Sequence, residues 1–311
     1  MNPLVIVNPT SGGGRTGRAA GEISRELRAA LGDISVVMTD GPGAATRLAA
    51  NAIGRGHTLI VAVGGDGTLN EVVNGFFRDG RMINPDATLG VVSSGTGADF
   101  RKTVGIPAGV EASIERLRQA APRRVDLGRV SYTDARGATR ERFFLNISSF
   151  GLSGDVVARV NRARYAKLLG GKAAFLWSTM RSLAAHRSRR VRLTIDDHFD
   201  ETVNVALGAI CNGRFFGGGM MVAPGAEPDD GMFDVVWLRD ANRQELVGRV
   251  RELYRGAHVD HPKVKILRGR TVTVAPIGDD RGPVWMDIDG EGGAALPARY
   301  EIMPGVLSIR V

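Results

Sequence analysis

One cysteine, Cys211, stands in 311 residues. That excludes a disulfide framework and fits a reducing compartment. No uncharged apolar run approaches the roughly 18 residues that a membrane-spanning helix needs. The start, Met1-Asn-Pro-Leu-Val-Ile-Val7, lacks the basic region and cleavage site of a secretory signal. A cytoplasmic protein is expected, free to meet a membrane peripherally from its inner face. Lysine is scarce, with five among 41 basic residues, so the formal charge of +8 is nearly all guanidinium. Arginine's planar fork suits phosphate recognition. Aromatic residues make up only 6% of the chain, and no nucleic-acid-binding motif occurs, so no nucleic-acid partner is expected. At 43% hydrophobic and 24% charged residues the composition excludes a largely disordered chain. The length is more than one minimal core needs, which implies two domains.

The first part alternates strand and helix signals. Leu4–Val7, Ile34–Met38, Thr58–Val63 and Ala87–Val92 read as strands, and 17–31, Ala44–Ile53, Thr68–Phe77 and Val110–Gln119 as helices. This predicts an α/β domain with a parallel sheet over residues 1–123, whose ligands bind at the carboxyl ends of its strands. The boundary falls near Ala121-Pro-Arg-Arg-Val125. Residues 124–311 read as a mainly antiparallel β-sandwich, with strands at Val125–Tyr132, Phe143–Ser148, Val191–Ile195, Thr202–Cys211, Phe233–Leu238, Val264–Leu267, Thr271–Ala275, Val284–Ile288 and Val306–Val311. The extreme C-terminus is free to pack back on the first domain. Helical stretches are expected near 155–185 and 243–253, the second capped by Asn242 with Glu245.

Three glycine-rich turns each follow a predicted strand: Ser11–Gly14, Gly64-Gly-Asp-Gly-Thr68, and Ser94-Gly-Thr-Gly97. Glycine allows a phosphate to approach main-chain amides, and a following helix adds its amino-terminal partial charge. Three such turns on one sheet edge point to a phosphate site. Thr68-Leu-Asn-Glu71 has capping-box spacing, and Thr96 with Asp99 repeats the Thr-x-x-acid interval. Asp66 has no such structural occupation. A carboxylate facing phosphate implies an intervening divalent cation, hence a Mg²⁺-nucleotide site. This middle loop has neither the Rossmann spacing nor the Walker lysine.

The motifs together resemble the diacylglycerol kinase catalytic-domain family, which includes bacterial soluble lipid kinases and sphingosine kinases. Val7-Asn-Pro9, Gly64–Glu71 and Ser94-Gly-Thr-Gly-Ala-Asp-Phe100 carry the resemblance in the first half. Asn212-Gly213, Phe216–Gly219, Pro224-x-Ala226, Asp230-Gly231 and Asp289-Gly-Glu291 continue it in the second. The resemblance implies an ATP- and Mg²⁺-dependent transfer to a lipid hydroxyl, most naturally diacylglycerol, giving phosphatidic acid. It implies a nucleotide site at Asn8, Thr39, Gly64, Gly65, Asp66, Gly67, Thr68, Leu69, Asn70, Gly95 and Thr96. Glu291 would take the acceptor's proton and Asp66 would organise the catalytic Mg²⁺, though the base role is also given to the position of Asp66 in some relatives. Asp99 and Asp289 would support the site. A structural Mg²⁺ is implied at the Glu227–Met232 turn, held by the Asp230 side chain and the carbonyls of Glu227 and Met232. Residue-type reasoning alone makes that segment an acidic turn. Ala98 departs from the asparagine usual in the third loop.

Strand alternation would put Asp287, Asp289 and Glu291 on one face, where like charges raise a pKa or recruit a cation. From Arg159 to Arg192 ten basic residues and no acid interleave with Tyr165, Leu168 and Trp177. This resembles an interfacial helix pair meeting anionic headgroups, against the alternative of a solvated basic face. His258 and His261 carry no metal assignment, and Cys211 reads as a small buried hydrophobe. Two other function classes share parts of the pattern. An NAD kinase shares the middle loop but not Asn8-Pro9 or Asp289-Gly-Glu291. A catalytically weak lipid- or nucleotide-binding homologue is suggested by Ala98.

Overall fold

The computed structural model describes residues 2–95, 98–134, 137–162, 188–239, 250–278 and 282–311. Short apolar runs build the strands of a first lobe: β1 (Leu4–Val7), β2 (Ser35–Met38), β3 (Leu59–Gly64), the small pair β4 (Phe77–Arg78) and β5 (Arg81–Met82), and β6 (Thr88–Ser93). β1 runs parallel to β2 and to β3, and β3 runs parallel to β6. Parallel neighbours require crossovers. These contain α1 (Arg15–Arg18), α2 (Ala20–Leu31), α3 (Ala44–Gly54) and α4 (Asp66–Asn74), followed beyond β6 by α5 (Asp99–Thr103) and α6 (Val110–Gln119). Helical spacing puts Ile23 and Leu27 of α2 beside Ile114 and Leu117 of α6, against Val5, Val7, Val61 and Val63. The opposite face takes Ile53 of α3 and Val72 of α4 against Ile6, Ile60 and Leu89. Cover on both faces explains why β1 and β3 are runs rather than alternations.

The second lobe contains β7 (Arg123–Thr133), β8 (Thr139–Phe144), β9 (Ile147–Gly151), α7 (Leu152–Arg162), β10 (Arg189–Ile195), β11 (Phe199–Cys211), β12 (Phe215–Phe216) and β13 (Met220–Met221). It continues with β14 (Phe233–Arg239), α8 (Val250–Arg255), β15 (Val264–Gly269), β16 (Thr271–Pro276), β17 (Trp285–Ile288) and β18 (Glu291–Arg310). Pairing among these strands is antiparallel. Their core gathers Trp237, Tyr300, Phe144, Phe150 and Phe233.

Several elements depart from the sequence expectation. Phe143–Ser148 is two strands, broken at Leu145-Asn146, because the amides there bind a side chain rather than a neighbouring strand. The third helix starts at Asp66 and ends at Asn74, and α5 was not anticipated. The final strand is the end of a 20-residue one that begins at Glu291. The helix expected at 155–185 begins at Leu152 and is described to Arg162. The Asn242–Glu245 cap lies outside the described residues, as do 163–187 of the basic stretch.

β18 joins the lobes. It pairs antiparallel with β7, β16 and β17, and its last residues run parallel to β6, Ser308 opposite Thr88. One 14-stranded sheet therefore passes through both lobes. Side-chain amides tie further segments together, across the seam and within the second lobe. Asn74 of α4 accepts the Phe143 N–H at 3.0 Å and donates to the Phe143 carbonyl at 2.9 Å. Phe143 stacks on Phe77 with centroids 3.9 Å apart. Asn212, fully buried, donates from Nδ2 to the carbonyls of Asp126 (3.1 Å) and Leu145 (2.7 Å). Asn212→Ala removes that shared donor from two buried carbonyls. It is expected to cost about 1–3 kcal/mol in urea unfolding, against about 0.5 kcal/mol for an exposed substitution.

Candidate active site

The loops after β1, β3 and β6 meet at the carboxyl edge of the first sheet. Asn8 ties two of them: its Nδ2 donates to Thr68 Oγ1 at 2.9 Å, while its Oδ1 accepts from the N–H and hydroxyl of Thr10. Thr39 follows β2 on the same edge, its N–H bonded to the Val7 carbonyl. The second and third loops pass so closely that a Cβ on Gly95 would lie 2.5 Å from the Gly65 Cα. Only glycine allows that crossing. Leu69 is buried beneath the loop. Thr96 lies outside the described residues.

Two acidic side chains of this region hold the backbone of neighbouring helices. Glu71 does not close a capping box with Thr68. Its oxygens accept the N–H groups of Gly43 (2.8 Å) and Ala45 (3.1 Å), capping α3 instead. Asp66, expected to have no structural occupation, accepts the N–H groups of Asp99 (3.1 Å) and Phe100 (3.2 Å) at the start of α5. Burial raises the Asp66 pKa, and those amides oppose the shift. Thus Asp66 couples the second loop to the third.

The second lobe brings a hairpin tip to the same place. Asp289 and Gly290 have φ of 49° and 81°, the two central positions of a tight turn between β17 and β18, with Ile288 opposite Glu291. The turn ends the alternation, so Asp287, Asp289 and Glu291 do not share a face. Asp289 accepts the amides of Leu145 (2.8 Å), Asn146 (3.0 Å) and Ile147 (3.0 Å) and the Asn70 side chain (2.9 Å). Asp287 lies under the turn, accepting from Gly290 N–H at 3.2 Å and from the Ser149 hydroxyl, and burial pushes its carboxyl up to about 7. Glu291 is exposed and reaches across the gap: a Cβ placed on Gly67 would lie 2.9 Å from its Oε1. The Glu291 carboxylate therefore sits against the first turn of α4, one residue from Asp66.

Asp99 is buried and ties the third loop to the second lobe, accepting from Gly218 N–H at 2.8 Å and from Lys102 Nζ at 3.4 Å. Ala98, with φ of 53°, takes a left-handed conformation that asparagine tolerates better than alanine. The Glu227–Met232 turn is built differently from a metal cradle. Asp230 accepts the Met232 N–H at 2.9 Å with one oxygen and pairs with Arg268 through the other. As folded, the turn carries its own cation. Among the described residues, no group of three or more His, Cys, Asp or Glu is placed to hold a metal. Sequence reasoning missed Asn146, which accepts from Thr103 at 3.0 Å, and Arg142, which donates to Asn70 at 2.8 Å.

Residues 2–130 match the diacylglycerol kinase catalytic domain family, and residues 146–311 match the family described as the YegS C-terminal NAD kinase beta sandwich-like domain. The chain belongs to this lipid kinase family. A diacylglycerol kinase of Mycobacterium tuberculosis is 27% identical over 306 residues, covering 98% of this chain and 93% of that one. A Pseudomonas syringae pv. syringae protein named "Probable lipid kinase YegS-like" is 31% identical over 280 residues, covering 90% and 84%. The crystal structure of a diacylglycerol kinase from Bacillus anthracis str. Sterne superposes with a TM-score of 0.71 at 20% identity, over 99% and 96% of the chains, and shows the shared fold.

The kinase transfers phosphate to a hydroxyl, and two outcomes follow from how its site is packed. Alanine suits a helix interior better than glycine by about 0.5–1 kcal/mol, so Gly67→Ala should melt no lower than wild type. Its methyl group displaces the Glu291 carboxylate, and turnover should fall at least roughly tenfold. Asp287 holds its proton to about pH 7 in the folded chain, against an ordinary value of 3.8. Folding stability is therefore lost as pH rises through that interval and levels off above it. Between pH 5 and 8 the wild type should lose on the order of 2 kcal/mol in urea titrations that Asp287→Asn does not lose.

Proposed function

We propose that the chain transfers the γ-phosphate of ATP, with Mg²⁺, to the hydroxyl of a membrane lipid, diacylglycerol being the acceptor and phosphatidic acid the product. The observation that carries this reading is the Glu291 carboxylate against Gly67, an acid of one lobe beside the phosphate-type loop of the other. Phosphoryl transfer needs positioning and charge neutralisation more than a strong base. The amides of Gly64–Gly67 and the amino end of the nine-residue α4 supply donors for the nucleotide phosphates. Asn8 and Thr68 hold the loop in shape, and Gly95, Thr96 and Thr39 complete the nucleotide's surroundings.

Asp66 fits a Mg²⁺-nucleotide: its two oxygens each accept one amide and keep lone pairs for a hydrated cation. Bound there, Mg²⁺ would neutralise developing phosphate charge. Glu291 accepts the proton of the acceptor hydroxyl, whose oxygen bonds to the γ-phosphorus as the bond to the bridging oxygen breaks. Its exposure, unlike the buried setting of Asp66, leaves it reachable by a lipid headgroup. Asp289 and Asp99 support the lobes that carry these groups. A structural Mg²⁺ at Glu227, Asp230 and Met232 would need Arg268 to leave Asp230. The lipid is met at a membrane surface, with 159–192 as the basic contact.

Purified protein given labelled ATP, Mg²⁺ and mixed lipids should place label in the organic phase. Glu291→Gln should lower that turnover by about 10²–10⁴-fold, as loss of a general base does, with ATP affinity unchanged within about threefold. Labelling of NAD in lipid-free buffer, or of nothing, would refute the reading.

A further inference from the structure

β8 carries three charged residues in succession, Arg140, Glu141 and Arg142, and the last two turn opposite ways. Glu141 approaches Arg129 at 3.8 Å. Arg142 turns to α4, where its Nη2 donates to Asn70 Oδ1 at 2.8 Å. Asn70 is fully buried, and its Nδ2 is shared between Asp289 Oδ2 (2.9 Å) and the Phe143 carbonyl (3.0 Å). On the helix, Asn70 stands three and four residues from Gly67 and Asp66, on their face. The guanidinium thus lies one turn along α4 from the place where Glu291 meets Gly67.

Arg142 is half-buried, and among the described residues no carboxylate comes within 4.0 Å of it. Among the described residues, only Nη2 of its fork finds a protein acceptor. Arg129, on the adjoining strand, is by contrast held by both Glu301 and Glu141. A cation withdrawn from water without a counter-charge is costly. Its fork matches the oxygens of a phosphoryl group.

We propose that Arg142 is a catalytic residue whose guanidinium contacts the terminal phosphoryl group of the nucleotide, from the side opposite the loop amides. The assignment rests on the phosphotransfer reading above. During transfer the bond from phosphorus to the bridging oxygen breaks, a bond to the acceptor oxygen forms, and the acceptor's proton passes to Glu291. Arg142 exchanges no proton, and it pairs with the phosphoryl oxygens as charge moves across them. Asn70 aims the fork, and through Asp289 the same amide fixes the hairpin that carries Glu291.

The test compares ATP and ADP, which differ by the group Arg142 meets. By calorimetric titration with Mg²⁺, Arg142→Met should weaken ATP at least roughly tenfold while leaving ADP within about twofold. Turnover should fall by about 10²–10³-fold, as on removing one transition-state donor. Millimolar guanidinium should recover part of the turnover of Arg142→Ala. If Arg142→Met melts lower than wild type, Arg142→Lys serves: it keeps the charge, so ATP should remain favoured over ADP while turnover drops. Equal weakening of both nucleotides, or no weakening of either, overturns the assignment to Arg142. A wild type that binds ATP but labels no lipid refutes the proposed acceptor and leaves the ATP–ADP comparison intact.

Discussion

The carboxylate of Asp289 joins three parts of the chain that sequence keeps far apart. It projects from the turn between β17 and β18, gathers the three successive amides of Leu145, Asn146 and Ile147, and takes the Asn70 side chain from α4. Burying an ionised carboxylate is tolerable only where such donors surround it. Here burial raises its pKa and the four N–H groups pull back. Without this clamp the hairpin would have no fixed approach to the first lobe, and Glu291 no fixed position against Gly67. The gap between the lobes is thus defined from beneath, by a group that itself need not meet a ligand.

The same logic recurs around the site. Asp66 joins the second loop to the third, Asp99 joins the third loop to the Phe216–Gly219 turn, and Glu71 joins α4 to α3. Each acid accepts main-chain amides at a helix start or a turn, where uncancelled N–H dipoles favour negative charge. A site meant for phosphate can therefore hold several carboxylates, because their charge is spent on the scaffold. Glu291 stays exposed, and Arg142 has no carboxylate within 4.0 Å among the described residues.

How much of this was readable from residue order depended on whether the partner was local. The glycine loops were legible because a close crossing such as Gly65 on Gly95 tolerates no other residue, and apolar runs marked the buried strands of the first lobe. The motif Asp289-Gly-Glu291 suggested three acids on one strand face, which the turn rules out, since a two-residue turn and a continuing strand both allow that order. Glu71 sits at capping-box distance from Thr68 yet caps a helix that lies earlier in the chain. Asp66 looked unoccupied because its partners are backbone amides, which leave no trace in side-chain identity. The break after Phe144 was illegible for the same reason. Arg142 was one arginine in an arginine-rich chain, and what distinguishes it is three-dimensional: its bond to Asn70 and, among the described residues, no carboxylate within 4.0 Å.

The long strand β18 starts at the Asp289–Gly290 hairpin and ends inside the other lobe, where Leu307, Ile309 and the following Val311 join its core. Synthesis runs from the amino end, and nascent domains commonly fold as they emerge. This enzyme's first lobe is denied that route. Until residues past 305 have left the ribosome, β6 keeps an open edge and the cluster beneath it stays incomplete, so both halves must mature together, late.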